Sequence, residues 1–206
     1  MNSDPLQKST FYFDDIRNED FLYFLRSQGN SKVVGPVGTQ YEKELRDKTD
    51  EVKIFAFYAC DEIVGAISFS VQNLPYDKAS VGLRLDTVIT AKNCRGHGVG
   101  SLLISEMFRK VIAEFGEKIK VISTVAVHPG VAKCMSNYSF DLPMENSSTP
   151  RFHLSLDSLE KYNSLKNKVE KELLSRHQDL KLKCFECKTN RGGTPWCKKS
   201  TSKDFL

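Results

Sequence analysis

No run of apolar residues in this chain approaches the length of a membrane span, and the first ten residues hold no basic stretch leading into an apolar one. Secretory and membrane-spanning readings are set aside, and the expectation is a cytoplasmic protein. Internal repeats and low-complexity blocks are also missing, so stacked-repeat architectures are not in play. Length bounds the rest: 206 residues suffice for one well-buried α/β domain with an appendage but not for two full catalytic domains. An apolar content of 40% and a charged content of 27% are those of an ordinary soluble globular protein. In such a compartment the six cysteines read as thiols or metal ligands rather than disulfides.

What is present is concentrated in one segment, Cys94-Arg95-Gly96-His97-Gly98-Val99-Gly100-Ser101. Before it, Val81 to Thr90 alternates apolar and polar positions at the period of a strand. After it, Val99, Leu102, Leu103, Met107, Val111 and Phe115 recur at helical spacing. A glycine-rich turn therefore feeds a helix N-terminus, where unpaired amides and the positive end of the helix dipole favour phosphate. Two familiar anion loops do not fit. A P-loop needs Gly-Lys-Ser/Thr after its first glycine, and no lysine stands at that spacing. A dinucleotide fingerprint needs a third glycine where Ser101 stands, and an acidic residue about twenty positions on after a second strand.

The spacing Arg95-x-x-Gly98-x-Gly100 resembles the Gln/Arg-x-x-Gly-x-Gly/Ala coenzyme A pyrophosphate loop of the Gcn5-related N-acetyltransferase family. The order of elements is similar as well. Val52 to Cys60 and Ile63 to Val71 read as a strand hairpin turning at Asp61-Glu62, a third strand ends at Thr90, and loop and helix follow. Lys120 to Val127 is a buried fourth strand, Val131 to Tyr138 a short helix ending in Ser139-Phe140, and Phe152 to Leu156 a last strand. Phe11 to Phe13 and the run Asp20, Phe21, Leu22, Leu25 stand where the family has its first strand and helix. The resemblance covers roughly residues 10 to 157 and implies an α/β fold, a mixed and mostly antiparallel sheet flanked by helices. The expected division is an acetyltransferase-like domain over 1–157 and a helical, basic, cysteine-containing extension over 158–206.

Carried over residue by residue, the resemblance implies that main-chain groups of Val88, Ile89 and Thr90 pair with the pantetheine arm of acetyl-coenzyme A. Arg95, Gly96, His97, Gly98, Val99, Gly100 and Ser101 would then surround the pyrophosphate. The alternative is a generic strand-to-helix turn, with His97 a solvated loop residue. The catalytic slots are filled unusually. A glutamate base found in several family members falls on Arg84, which is always protonated. Asp86, two residues on and on the same strand face, is the candidate base, and its alternative role is an ion pair with Arg84. The usual general-acid tyrosine falls on Met135, which cannot protonate a thiolate, leaving Tyr138 as the candidate acid, with Cys134 and Ser136 as other substitutes. His128 falls where the family often contacts the coenzyme with Asn.

The resemblance thus implies acetyl-coenzyme A dependent transfer of an acetyl group to a primary amine, on a small molecule or a protein. The competing reading is a coenzyme-binding regulatory module that has lost efficient catalysis. Acceptor choice in the family lies in segments matching Gln28 to Asp50 and Asn146 to Arg151, which carry no specificity motif here.

The extension holds most of the basicity. From Asp157 on, twelve Lys and Arg stand against seven Asp and Glu, yet Leu159, Tyr162, Leu165, Val169 and Leu173 form a helical stripe with the charges opposite. Those lysines read as a solvated helix face rather than a nucleic-acid surface. Cys184-x-x-Cys187, Cys197 and His177 are four ligands of the types zinc takes, but with a single Cys-x-x-Cys the favoured reading is free thiols, and no metal site is assigned.

Overall fold

The computed structural model describes residues 11–28, 52–59, 62–125, 129–141 and 151–189. Strand β1 (Phe11–Asp15) and helix α1 (Asn18–Ser27) lead to β2 (Val52–Ala59), β3 (Glu62–Leu74) and β4 (Asp77–Thr90). Helix α2 (Val99–Phe115), strand β5 (Ile119–Val125), helix α3 (Pro129–Asn137), strand β6 (Arg151–Ser155) and helix α4 (Leu159–Thr189) follow.

The six strands form one sheet in the order β1-β2-β3-β4-β5-β6. Every adjacent pair is antiparallel except β4 and β5, which are parallel. The parallel pair needs a crossover, and α2 is that crossover. The expected α/β class and mostly antiparallel sheet are what the structure has, and the core explains why. Both faces of the β2–β3 hairpin are largely apolar, and Ile54, Phe55, Phe57, Ile67 and Phe69 are buried together with Leu102, Leu103, Met107 and Phe108 of α2.

Gly65 fixes how closely α2 lies on the sheet. A Cβ at Gly65 would stand 2.7 Å from Leu103 Cδ1 and 2.9 Å from Val99 Cγ1, so only glycine lets the helix seat this deeply on β3.

Three elements outrun their sequence signals. The β3–β4 hairpin continues to Leu74 and Asp77 rather than stopping near Val71 and Val81, because the Asp77 carboxylate accepts hydrogen bonds from the Ala79 amide and the Ser80 hydroxyl and so secures a polar hairpin end. Helix α3 begins at Pro129, whose missing N–H costs nothing at a first helical position. Helix α4 runs to Thr189, well past the apolar stripe. Its buried Leu165, Val169 and Leu173 join the same core as the sheet, and it packs along α2. No described helix is long and apolar enough to cross a membrane.

Candidate active site

Strand β4 changes character at Asp86. On the β3 side, Ser68 pairs with Thr87 and Phe69 pairs with Leu85, so Asp86 is an extra residue with no opposite number, a β-bulge. On the β5 side the parallel ladder runs from Val81–Ile119 to Leu85–Thr124 and, among the described residues, goes no further. Beyond the bulge, Val88, Ile89 and Thr90 remain paired with Ile67, Ala66 and Gly65, and among the described residues no β5 residue pairs with them. Residues 126–128, which follow β5, lie outside the described residues.

Strand β4 leads into the glycine turn. A short 3-10 turn (Lys92–Cys94) follows Thr90, and Arg95 Nε donates to the Thr90 carbonyl at 3.3 Å, tying the loop back to the strand. Gly96 and Gly98 have φ of 79° and 85°, conformations that side-chain-bearing residues resist. Gly98 is the N-cap of α2 and has no side chain with which to cap it. The amides of Val99, Gly100 and Ser101 lack intrahelical acceptors by their position in the first turn, and no acidic residue stands there. Gly100 leaves room toward β4, since a Cβ there would lie 3.7 Å from Thr90 Oγ1 and 4.0 Å from Val88 Cγ1. The residues singled out in the sequence from Val88 to Ser101 thus run from the end of β4, through the glycine loop, to the first turn of α2. Elongated ligands with a polar arm and a phosphate group match that path. His97 is half-buried on the loop.

The candidate acid and base are held by neighbours. Asp86 has its side chain 5% exposed, and its Oδ1 accepts from Arg84 Nε at 2.5 Å, the ion pair that was the alternative role for this carboxylate. Tyr138 is buried, stacks edge-on against Phe108, and has its hydroxyl 2.5 Å from Ser105 Oγ. Since Ser105 donates its own proton to the Ser101 carbonyl at 2.8 Å, the phenol proton points to Ser105. Burial raises the Tyr138 pKa well above that of an ordinary tyrosine, so the phenol stays protonated. Met135, in the family's tyrosine slot, is fully buried.

Helix α3 ends as the resemblance implies. Ser139 adopts φ of 62°, and the Phe140 amide donates to the Met135 carbonyl at 3.2 Å, a left-handed helix stop in which serine stands where glycine is usual.

Cysteine chemistry is subdued here. Cys94 is buried with its pKa pushed up to about 11, chiefly by desolvation, and Cys134 Sγ lies 3.1 Å from Ser101 Oγ. His128 and most of the acceptor segments, 29–50 and 146–150, lie outside the described residues, as does Cys197. The backbone of α4 covers Cys184 and Cys187, but the side chains of the four proposed zinc ligands lie outside the description.

A family model for the Acetyltransferase (GNAT) family matches residues 11–133. The chain belongs to that family. Arabidopsis thaliana NAA60 in complex with acetyl-CoA superposes with a TM-score of 0.52 at 12% identity, covering 72% of this chain and 100% of that one. The same protein with a bisubstrate analogue gives 0.51 at 12% identity, over 70% and 95% of the two chains. An acetyltransferase from Thermus thermophilus gives 0.51 at 12% identity, over 71% and 97%. At such identities the likeness is one of fold. No curated protein sequence matches the chain.

Two features were beyond the sequence reading. The alternation of β4 marks a strand but not the residue at which a ladder ends, so the bulge at Asp86 left no signal. Ser105, which holds Tyr138, lies within an ordinary amphipathic helix and meets its partner only through the packing of α3 on α2.

Proposed function

We propose that this protein is an acetyl-coenzyme A dependent N-acetyltransferase acting on a primary amine. The observation that carries the reading is the glycine loop: Gly96 and Gly98, at φ of 79° and 85°, turn the chain from the end of β4 into the start of α2, whose first turn holds no acidic residue. The main-chain groups of residues 88–90 suit a pantetheine arm, with its two amides, and the loop amides of Arg95 to Ser101 suit a pyrophosphate. When bound, the coenzyme supplies an activated acetyl thioester. Residues 88–90 and the glycine loop would hold the coenzyme, and other residues of this chain would handle the protons.

Asp86 is the proposed acceptor of the amine proton. It stands at the bulge of β4, just before residues 88–90, and Arg84 holds its carboxylate in place. Proton uptake by Asp86 must break or loosen the contact with Arg84, which favours transfer through an intervening water over a permanent protonation. Tyr138 is the proposed proton source for the departing thiolate. The phenol is protonated, but the burial that raises its pKa also makes it a weaker acid, and a turn of its hydroxyl away from Ser105 is required.

That requirement supports a second reading, in which the protein binds acyl-coenzyme A without efficient turnover. Met135 replaces the usual acid, Arg84 the usual base, and the Tyr138 proton is engaged inside the α2–α3 interface. Incubation with acetyl-coenzyme A and a panel of amines, including peptide N-termini, polyamines and amino sugars, separates the two. Release of free thiol that depends on an amine supports the enzyme. Coenzyme binding with no amine-dependent release supports the binding module, and lack of binding contradicts both.

A further inference from the structure

Helix α4 reaches the glycine loop. Packed along α2 by Leu165, Val169 and Leu173, it carries Arg176 one turn beyond Leu173 to the start of α2. A Cβ on Gly98 would stand 3.2 Å from Arg176 Nη1, 3.5 Å from its Cδ and 3.7 Å from its Cζ, so the guanidinium lies across the bare backbone of the loop. Its direction is fixed from behind: Arg176 Nε donates to Glu172 Oε1 at 2.8 Å, one turn back on the same helix. A planar fork aimed by a carboxylate and laid beside the first turn of a helix, whose amides lack intrahelical acceptors, is well suited to bidentate contact with a phosphate. Glu172 and Arg176 also stand near enough to Tyr138 to act on its phenol in opposite directions, which puts this end of α4 against both the loop and α3.

We propose that Arg176 is a coenzyme-binding residue: its guanidinium contacts the pyrophosphate over Gly98, making helix α4 one wall of the coenzyme site. The proposal rests on the coenzyme reading of the loop and adds a side-chain cation to what would otherwise be main-chain recognition. It also gives the C-terminal segment a function in the chemistry of the domain on which it packs. Glu172 is a positioning residue, acting through Arg176.

The test is calorimetric titration of the full chain with acetyl-coenzyme A, at low and at high ionic strength, for the unaltered protein, Arg176→Ala and Arg176→Lys. A lost charge-assisted contact lowers affinity about tenfold or more. The expected result is a loss of that size for Arg176→Ala at low salt, a smaller gap at high salt, and partial recovery in Arg176→Lys, with unfolding temperatures unchanged in the absence of ligand. Equal affinity of Arg176→Ala overturns the proposal. Tighter binding also overturns it, since the guanidinium would then be a plug in the seat rather than a ligand for its occupant. A loss that is the same at both salt concentrations and comes with a lower unfolding temperature assigns Arg176 to helix packing instead. If the unaltered protein fails to bind, the coenzyme reading itself is wrong and this proposal falls with it, an outcome seen before any variant is made.

Discussion

The two halves of β4 are built from one alternating sequence and behave differently. Residues 81–85 are paired to β3 and β5 at once, and their Leu83 and Leu85 are buried. Residues 87–90 keep β3 and, among the described residues, have no β5 partner. The first half belongs to the stability of the sheet, and the second is the half proposed to pair with the coenzyme. A single inserted residue, Asp86, marks the boundary.

The boundary itself is the place to strike first. Asp86→Asn keeps the size of the side chain and removes its capacity to take a proton, and turnover should fall by about two to four orders of magnitude with acetyl-coenzyme A affinity nearly unchanged. Part of the loss should return at high pH, where the acceptor amine is already deprotonated. Initial rates of thiol release across a pH series read this directly, and normal turnover by the variant would assign Asp86 to the ion pair alone.

Next in size is the loop beyond the second half. Gly98→Val places a branched side chain on a backbone at φ of 85° and over the loop amides, so acetyl-coenzyme A affinity should drop roughly a hundredfold, the equivalent of about two charge-assisted hydrogen bonds. Side-chain replacement at His97 should matter far less, because the proposed donors are main-chain groups. Titration calorimetry on variants shown to be folded by circular dichroism checks both.

The smallest effect is expected on the β3 side of the second half. Gly65 pairs with Thr90, and a methyl group there meets α2 at under 3 Å from two side chains. Gly65→Ala should cost about 1–3 kcal/mol of stability, the usual range for overpacking, and weaken binding only as far as α2 and its loop are displaced. Urea unfolding gives the first quantity.

Much of this was legible because it is local. A glycine turn between a strand pattern and a helix pattern can be read from a dozen residues, and the apolar patterning gave β2 to β5, α2 and α4, while β1, α1 and β6 were placed with the help of the family's order of elements. The hairpin end at Asp77, the bulge at Asp86 and the full length of α4 were not legible, since each depends on a polar side chain's partner or on which neighbour a backbone meets. Tyr138 shows the same limit at the site: spacing put it on α3 near the expected acid, and only packing reveals that its proton goes to Ser105. Arg176 lies 78 residues from Gly98 in a helix whose charges read as a solvated face, so nothing in its local pattern pointed to the loop.

The central claim is that the second half of β4 pairs with the coenzyme. Residue-resolved amide hydrogen exchange, recorded with and without saturating acetyl-coenzyme A, addresses it most directly. Outward-facing amides within residues 87–90 and those of residues 95–101 should exchange more slowly with the coenzyme bound, while residues 81–85, already paired on both sides, should change little. Binding that leaves the amides of 87–90 and the loop unprotected would contradict the account, and would move the coenzyme to another part of the molecule.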